Sequence, residues 1–564
     1  MTATTVEDKA PRPDVVTRHR GLVGRTVLLA VSTFASRIGG FVREILSAAL
    51  FGDASPMFDA FVTAWRVPNL FRRFLGEGAL STALQTSLTA VDDDEGEDAG
   101  AGLFLGTLRT LTWVLIGVTA VVIGLVWLLP DTMPFTGLAW LGSNAAVVRE
   151  LTMRMMPFVI LVCISAVCTG ALNVRGHYLL PALAPVLMNI AWIAALFVIA
   201  WEFGWNHAPD AGQEALRQLG MVRWLAGSVL IGGLLLIAIQ IPALISTGLL
   251  RRAASTTASS TKPVWAVLRR TVPLAFGAAI YQINVMVDGF MAVALLQEGG
   301  PTAHYMATRL QQLPMALTSI AATSAVFPAL TALGHRRALG ELRSLHDRTQ
   351  LAVAFLAIPS AVGLAALAAP IVSVCLEHGA FGPSGVERTT AALRFLALAI
   401  VPAGAVGLVA RCYYALGDFT TPVRVSGAML VANVLLNFGL IVGLGMDVEG
   451  LALSTTLTSW GNLALLLRGM GGLSLPPGEP GLGRRLLRVL GASVGCGAGA
   501  FGTHLLAERM GFAPVLSLTL AIGVSVAIYA GLAHLLRLPE WTVVLERLRG
   551  RSKASEDDAT RGKP

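Results

Sequence analysis

The chain is a succession of long apolar runs separated by short polar stretches. Runs of spanning length, each needing ~20 residues, lie near 26–50, 57–90, 103–129, 147–173, 179–201, 224–250, 266–296, 303–333, 350–375, 390–416, 420–444, 449–470, 485–507 and 513–537. This pattern predicts an all-α polytopic membrane protein of about 14 transmembrane helices. Runs 57–90, 266–296 and 303–333 exceed what a bilayer requires, so tilt, kinks or extension beyond it are expected. An even number of spans puts both termini on one side.

Composition agrees. Of 564 residues, 54% are hydrophobic and 13% charged, and mean hydropathy is +0.68; a soluble protein carries about a quarter charged residues. The first ~20 residues are polar and mixed, without the pattern of a removable signal peptide. All five cysteines fall inside apolar runs, where they read as small packing residues.

Charge then sets orientation. With the N-terminus inside, most of the 42 lysines and arginines fall in inner tails and loops, including RRAASTTASSTK, HRRALGELRSLHDR and GRRLLR. The positive-inside rule favours both termini in the cytoplasm, so the net charge of +8 reflects topology rather than a nucleic-acid partner. The acidic stretch DDDEGED (92–98) reads as a solvated linker, with a metal or substrate role as the alternative. The expected organisation is a cytoplasmic tail (1–22), a first six-helix lobe (23–250), a cytoplasmic linker (251–264), a second lobe (265–472), two further helices (473–537) and a cytoplasmic tail (538–564).

Lysine occurs only at Lys9, Lys262, Lys553 and Lys563, all outside the apolar runs. Every cation within a run is therefore arginine, which keeps its charge when buried. Arg37 and Arg43 lie in the first run, Arg66, Arg72 and Arg73 in the second, and Arg309 in the eighth; Arg154, Arg394 and Arg411 lie nearer span ends. A charge at mid-bilayer costs ~2.5–3.5 kcal/mol on insertion scales, so several in one bundle imply a wet, protein-lined interior. Snorkelling or pairing with acids is the alternative. Glu77 lies four residues from Arg73, and Asp59, Arg66, Arg73 and Glu77 form one helical stripe of mixed sign. Arg43, Arg72 and Arg309 have no acid three or four residues away. The set Arg37, Arg43, Arg72 and Arg309 therefore predicts a cationic cavity, because the planar guanidinium suits phosphate or pyrophosphate. Pro68 is expected to break the second helix, and 59 glycines with 27 prolines fit hinged helices.

Laying RRFLGEGALSTALQTSL (72–88) on RLQQLPMALTSIAATSA (309–325) superposes Arg72 on Arg309. That direction suits two lobes in parallel repeat. The stretches SRIGGFVREILSAALFG, DAFVTAWRVPNLFRRFLGEGALSTA, YQINVMVD and YMATRLQQLP together resemble the MurJ/MviN family of lipid II flippases, in the MOP exporter superfamily. The resemblance implies transport of undecaprenyl-pyrophosphate-linked disaccharide-pentapeptide from the inner to the outer leaflet by alternating access, in the bacterial cytoplasmic (inner) membrane. It implies Arg37, Arg43, Arg72 and Arg309 as cavity arginines, and a groove for the lipid tail on the last two helices. Many relatives carry an acid where Thr308 stands. Members also hold a sodium ion with residues that correspond to Asp288, Asn433, Asn437 and Thr455, although Asn437 stands where a carboxylate is expected. Interhelical hydrogen bonding is the other role open to those four.

No G-x-x-x-x-G-K-[ST] motif occurs, so no ATP site and no cofactor is expected. An ion gradient (Na+ or H+), the membrane potential or product consumption would supply energy. The competing readings are an exporter of another polyprenyl-linked glycan or a small molecule, and a membrane enzyme. The enzyme would need clustered acid/base or metal groups, whereas His177, His207 and His304 are scattered. A monomer is the default, bound to lipid II and membrane lipids; no motif marks a cell-wall synthase partner.

Overall fold

The computed structural model describes residues 14–72, 79–128, 139–205, 210–250, 264, 265, 267, 269, 283–316, 318, 321–473 and 475–546. Arg73 and Glu77 lie outside these, as do nearly all of the linker 251–264 and the tail beyond 546. Among the described residues every regular element is a helix.

The first half holds α1 (Asp14–Phe51), α2 (Pro56–Phe71), α3 (Ala79–Glu95), α4 (Glu97–Trp127), α5 (Ala139–Met155), α6 (Phe158–Val174), α7 (Leu179–Phe203), α8 (Ala211–Ala238) and α9 (Ile241–Ser246). The second holds α10 (Ile283–Leu295), α11 (Gly300–Met315), α12 (Ala321–His335), α13 (Leu339–Ala366), α14 (Ala368–Leu376), α15 (Pro383–Leu398), α16 (Ile400–Ala415), α17 (Thr420–Phe438) and α18 (Val448–Gly469). A last pair, α19 (Leu482–Arg509) and α20 (Pro514–Leu535), packs on itself and on α13.

Nine helices among the described residues are long and apolar enough to cross a membrane, and Ile283–Leu295 and Val326–His335 are shorter apolar helices. Helices α1, α2, α11 and α18 fall outside that set. They carry arginines, amides and hydroxyls that face inward. The first helix starts at Asp14, within the stretch expected to be a tail. Helix α2 runs through Pro68 to Phe71 rather than breaking there. The acidic stretch is also no linker: it is helical on both sides of Gly96 (φ 90°). Asp92 and Glu97 pair with Arg175 at 3.0 and 3.4 Å, which offsets part of the repulsion among the six acids of the segment.

Within the first half α1 packs on α7, α2 on α5, α3 on α6, and α7 on α8; within the second, α15 on α18 and α11, α17 on α18, and α13 on α16. Between halves the larger contacts join α1 and α2 to α11 and α14. The buried apolar core follows the same asymmetry. One cluster runs continuously through Phe51, Phe58 and Trp65 into Leu296, Leu310, Leu376 and Leu396. A separate cluster around Leu330, Leu342, Leu408, Tyr413 and Leu466 serves the far end of the second half alone. Among the described residues the halves thus meet at the end formed by α1, α2, α11 and α14.

Candidate functional site

Two aspartates of the first half build the fused end. Ser55 caps α2, its hydroxyl accepting from the Phe58 N–H at 3.1 Å, and this fixes the turn that holds Asp53 and Asp59. Buried Asp59 accepts from the Gly299 N–H at 2.7 Å and from the Thr302 N–H and hydroxyl at 2.9 and 2.5 Å. Asp53 accepts from the Gly382 N–H at 3.0 Å and the Ser384 hydroxyl at 2.5 Å. Each carboxylate caps the N-terminus of a helix in the other half, α11 or α15, where free N–H groups and the helix dipole favour an anion. The Ala380 N–H also donates to the Ala49 carbonyl at 2.8 Å. Gly379 (φ 61°) allows this approach; a Cβ there would collide with that carbonyl.

From this end a cavity of about 690 Å³ extends between the halves. Arg37, Arg66 and Asn69 line its first-half wall, and Asp288, His304, Arg309, Gln312 and Arg411 are among the second-half residues. Behind the wall, Arg43 donates to Glu44 Oε1 at 2.5 Å and to Asn189 Oδ1 at 3.3 Å, and its guanidinium lies 4.4 Å from the Trp192 ring centroid. From the opposite half, Tyr305 donates its hydroxyl proton to the same Glu44 oxygen at 2.9 Å. Arg309 donates to the Tyr305 hydroxyl at 3.0 Å and approaches Glu44 at 3.5 Å. One carboxylate thus sits between two arginines from different halves, leaving one positive charge in excess at the cavity wall. Arg66 reaches across from α2 so closely that a Cβ on Gly289 would overlap its guanidinium. Its Nε and one terminal nitrogen are buried without a hydrogen-bond partner.

A model of the family described as "Lipid II flippase MurJ" matches residues 47–529. The chain belongs to the MurJ lipid II flippase family. It is 29% identical over 472 residues to "Lipid II flippase MurJ" of Burkholderia cenocepacia, covering 83% of this chain and 87% of that one. It is 31% identical over 522 residues to "Probable lipid II flippase MurJ" of Bdellovibrio bacteriovorus, covering 90% and 94%. The solved structure "Lipid II flippase MurJ, inward closed conformation" superposes with TM-score 0.67 at 20% identity, over 90% of this chain and 99% of that one. An inward-facing multidrug resistance MATE family transporter of the MOP superfamily superposes with TM-score 0.55 at 14% identity, over 80% and 98%. The fold is that of this transporter superfamily.

Within this MurJ-family fold the expected arginines occupy three kinds of position. Arg37 and Arg309 are on the cavity wall, and Arg43 stands behind it, fixed by Glu44. Arg72, at the end of α2, is not among the described lining residues; its Nε donates to Asn69 Oδ1 at 3.1 Å. Of the expected supporting residues, Arg66 lines the cavity, whereas Asp59 is turned into the contact between halves. A search for acids three or four residues away missed Glu44 as the partner of Arg43 and Arg309: it is adjacent to one and in the other half from the second. Its position inside a span was the available signal.

The residues expected at a sodium site do come together. Thr455 donates to Asp288 Oδ2 at 2.9 Å, and Asn437 donates to Asp288 Oδ1 at 3.4 Å and to Asn433 Oδ1 at 3.1 Å. Ser454, absent from the expected set, donates to Asn437 Oδ1 and accepts from Asn433 at 3.3 Å. The fit to a hard cation is poor. The cluster has one carboxylate, both of whose oxygens accept protein hydrogen bonds, and the Arg66 guanidinium packs on the adjoining Gly289. Among the described residues no group of three or more His, Cys, Asp or Glu side chains is arranged to hold a metal.

Proposed function

We propose that this protein carries lipid II from the inner to the outer leaflet of the bacterial cytoplasmic membrane by alternating access, without chemical catalysis. The observation that carries the reading is a cationic cavity between two halves that, among the described residues, join at one end, in a chain of the MurJ family. Moving a diphosphate through hydrocarbon is costly because nothing replaces its hydration. Arg37 and Arg309 on the wall, with Arg43 and Arg72 behind and below, supply that replacement, while the polyprenyl tail stays in lipid or along α19 and α20. With both termini in the cytoplasm, the fused end faces outward and the cavity faces the cytoplasm, where lipid II is loaded. Opening the outer end requires Asp53 and Asp59 to leave α15 and α11. The Asp288 cluster serves as an interhelical hydrogen-bond network, leaving the membrane potential, a proton gradient or product consumption to supply energy. The protein acts as a monomer.

Complementation tests this. In a bacterium depleted of its own lipid II flippase, the wild type rescues growth, and Arg37→Ala and Arg309→Ala at matched membrane abundance do not. Rescue by both variants would remove the arginine cavity from the mechanism. Failure of a well-inserted wild type would shift the reading to another polyprenyl-linked cargo.

A further inference from the structure

The cavity carries a second cationic station, far from the arginines discussed above. Helices α11 and α15 both start at the fused end, capped by Asp59 and Asp53. At 1.5 Å per residue, Arg309 lies roughly 15 Å along α11, whereas Arg411 lies roughly 40 Å along the α15–α16 rod. The two levels are therefore roughly 25 Å apart, and both belong to one cavity wall.

Arg411 is half-buried, and its guanidinium lies 5.7 Å from the Phe327 ring centroid. No carboxylate forms an ion pair with it among the described residues, and one terminal nitrogen is buried without a hydrogen-bond partner. Asn462 of α18 faces the same space: its Nδ2 donates to Ser426 at 3.2 Å, while its Oδ1 is buried and unpartnered. An arginine fork lining one cavity with an amide and a hydroxyl, and backed by an aromatic ring, suits a planar carboxylate.

We propose that Arg411, with Asn462 and Ser426, binds the terminal carboxylate of the peptide carried by the transported head group. The inference rests on the lipid II reading given above and adds a peptide subsite to it. The spacing agrees: an extended pentapeptide spans at most ~17 Å, and the one sugar that bears both the peptide, through its lactyl ether, and the diphosphate supplies the remainder. A diphosphate held at the Arg309 level thus places the peptide end at the Arg411 level. Two anchors at that separation also measure the head group, so a lipid diphosphate lacking the peptide engages one station only.

The test is equilibrium binding to the full-length protein in nanodiscs. Three lipids are compared: lipid II, lipid II with the peptide C-terminus amidated, and undecaprenyl diphosphate. The expected result is that amidation weakens binding to the wild type about tenfold and that Arg411→Gln weakens lipid II by the same factor. Amidation then costs the variant nothing further, and both proteins bind undecaprenyl diphosphate equally. The amidation arm uses unmutated protein, so it holds even if the variant folds poorly. Equal binding of free and amidated lipid II to the wild type would overturn the proposal, as would an Arg411→Gln loss that is the same for all three lipids. A folded wild type that binds undecaprenyl diphosphate but not lipid II would overturn the lipid II reading itself, a pattern distinct from either.

Discussion

Glu44 is the residue on which the two halves exchange charge. It accepts from Arg43 and Tyr305 and lies 3.5 Å from Arg309, so its charge holds two guanidinium groups of different halves near one point. Removing one partner of a buried ion pair costs ~3–5 kcal/mol because the remaining charge is uncompensated. Glu44→Gln keeps the shape and a hydrogen-bonding oxygen but leaves both arginines unneutralised. The expected outcome is a lower melting temperature in detergent and loss of complementation, with Glu44→Asp retaining more of both. A Glu44→Gln protein with unchanged melting temperature and full rescue would show that the pair contributes nothing. A close neighbour of Arg43 at i+1 and of Arg309 across the interface is invisible to a search along one helix face. The intramembrane arginines were legible in the sequence; their partner was not.

At the scale of elements, two helix N-termini of one half are capped by carboxylates of the other. Burial alone would raise the Asp53 carboxyl, but hydrogen bonds from Ser384 and from the Gly382 backbone outweigh it and hold it below its ordinary 3.8. A group lowered in the closed state stabilises that state at pH values above its open-state value. The contribution disappears as pH falls through the lowered value. The contribution of Asp53 to closure is therefore expected to be constant from pH 7 to about 5 and to weaken below about 4. The melting-temperature difference between the parent and Asp53→Asn reads this directly: it is expected to be constant from pH 7 to about 5 and to shrink below about 4, as the parent's carboxylate takes up its proton. A difference as large at about pH 3 as at pH 7 would sink the idea that the charged carboxylate holds this end closed. The all-helical, multi-span character was legible because long apolar runs have few ways to lie in a membrane. The capping pairs were not, since Asp53 and Gly382 are separated by hundreds of residues and neither forms a motif.

At the scale of the molecule, the second-half polar cluster decides whether sodium belongs to the transport cycle. Asp288 is satisfied by Thr455 and Asn437, and Ser454 closes the network through Asn437 and Asn433. Replacing sodium with potassium or choline is therefore expected to leave the melting temperature of the purified protein within about one degree. A sodium-specific rise of several degrees, abolished by Asp288→Asn, would establish a cation site, since a ligand that binds the native state stabilises it by mass action.

The sequence by itself determined that this is a helical membrane protein with permanent positive charge in its interior, because apolar run length and the cost of buried charge are properties of the chain. It also carried the family, through motifs contiguous along single helices. Tertiary structure alone decided which arginines face the cavity and which are held behind it, that Asp59 joins the halves rather than lining the path, and that the halves meet at one end. These depend on contacts between helices remote in sequence, where a side chain's partner is set by packing rather than by spacing along its own helix.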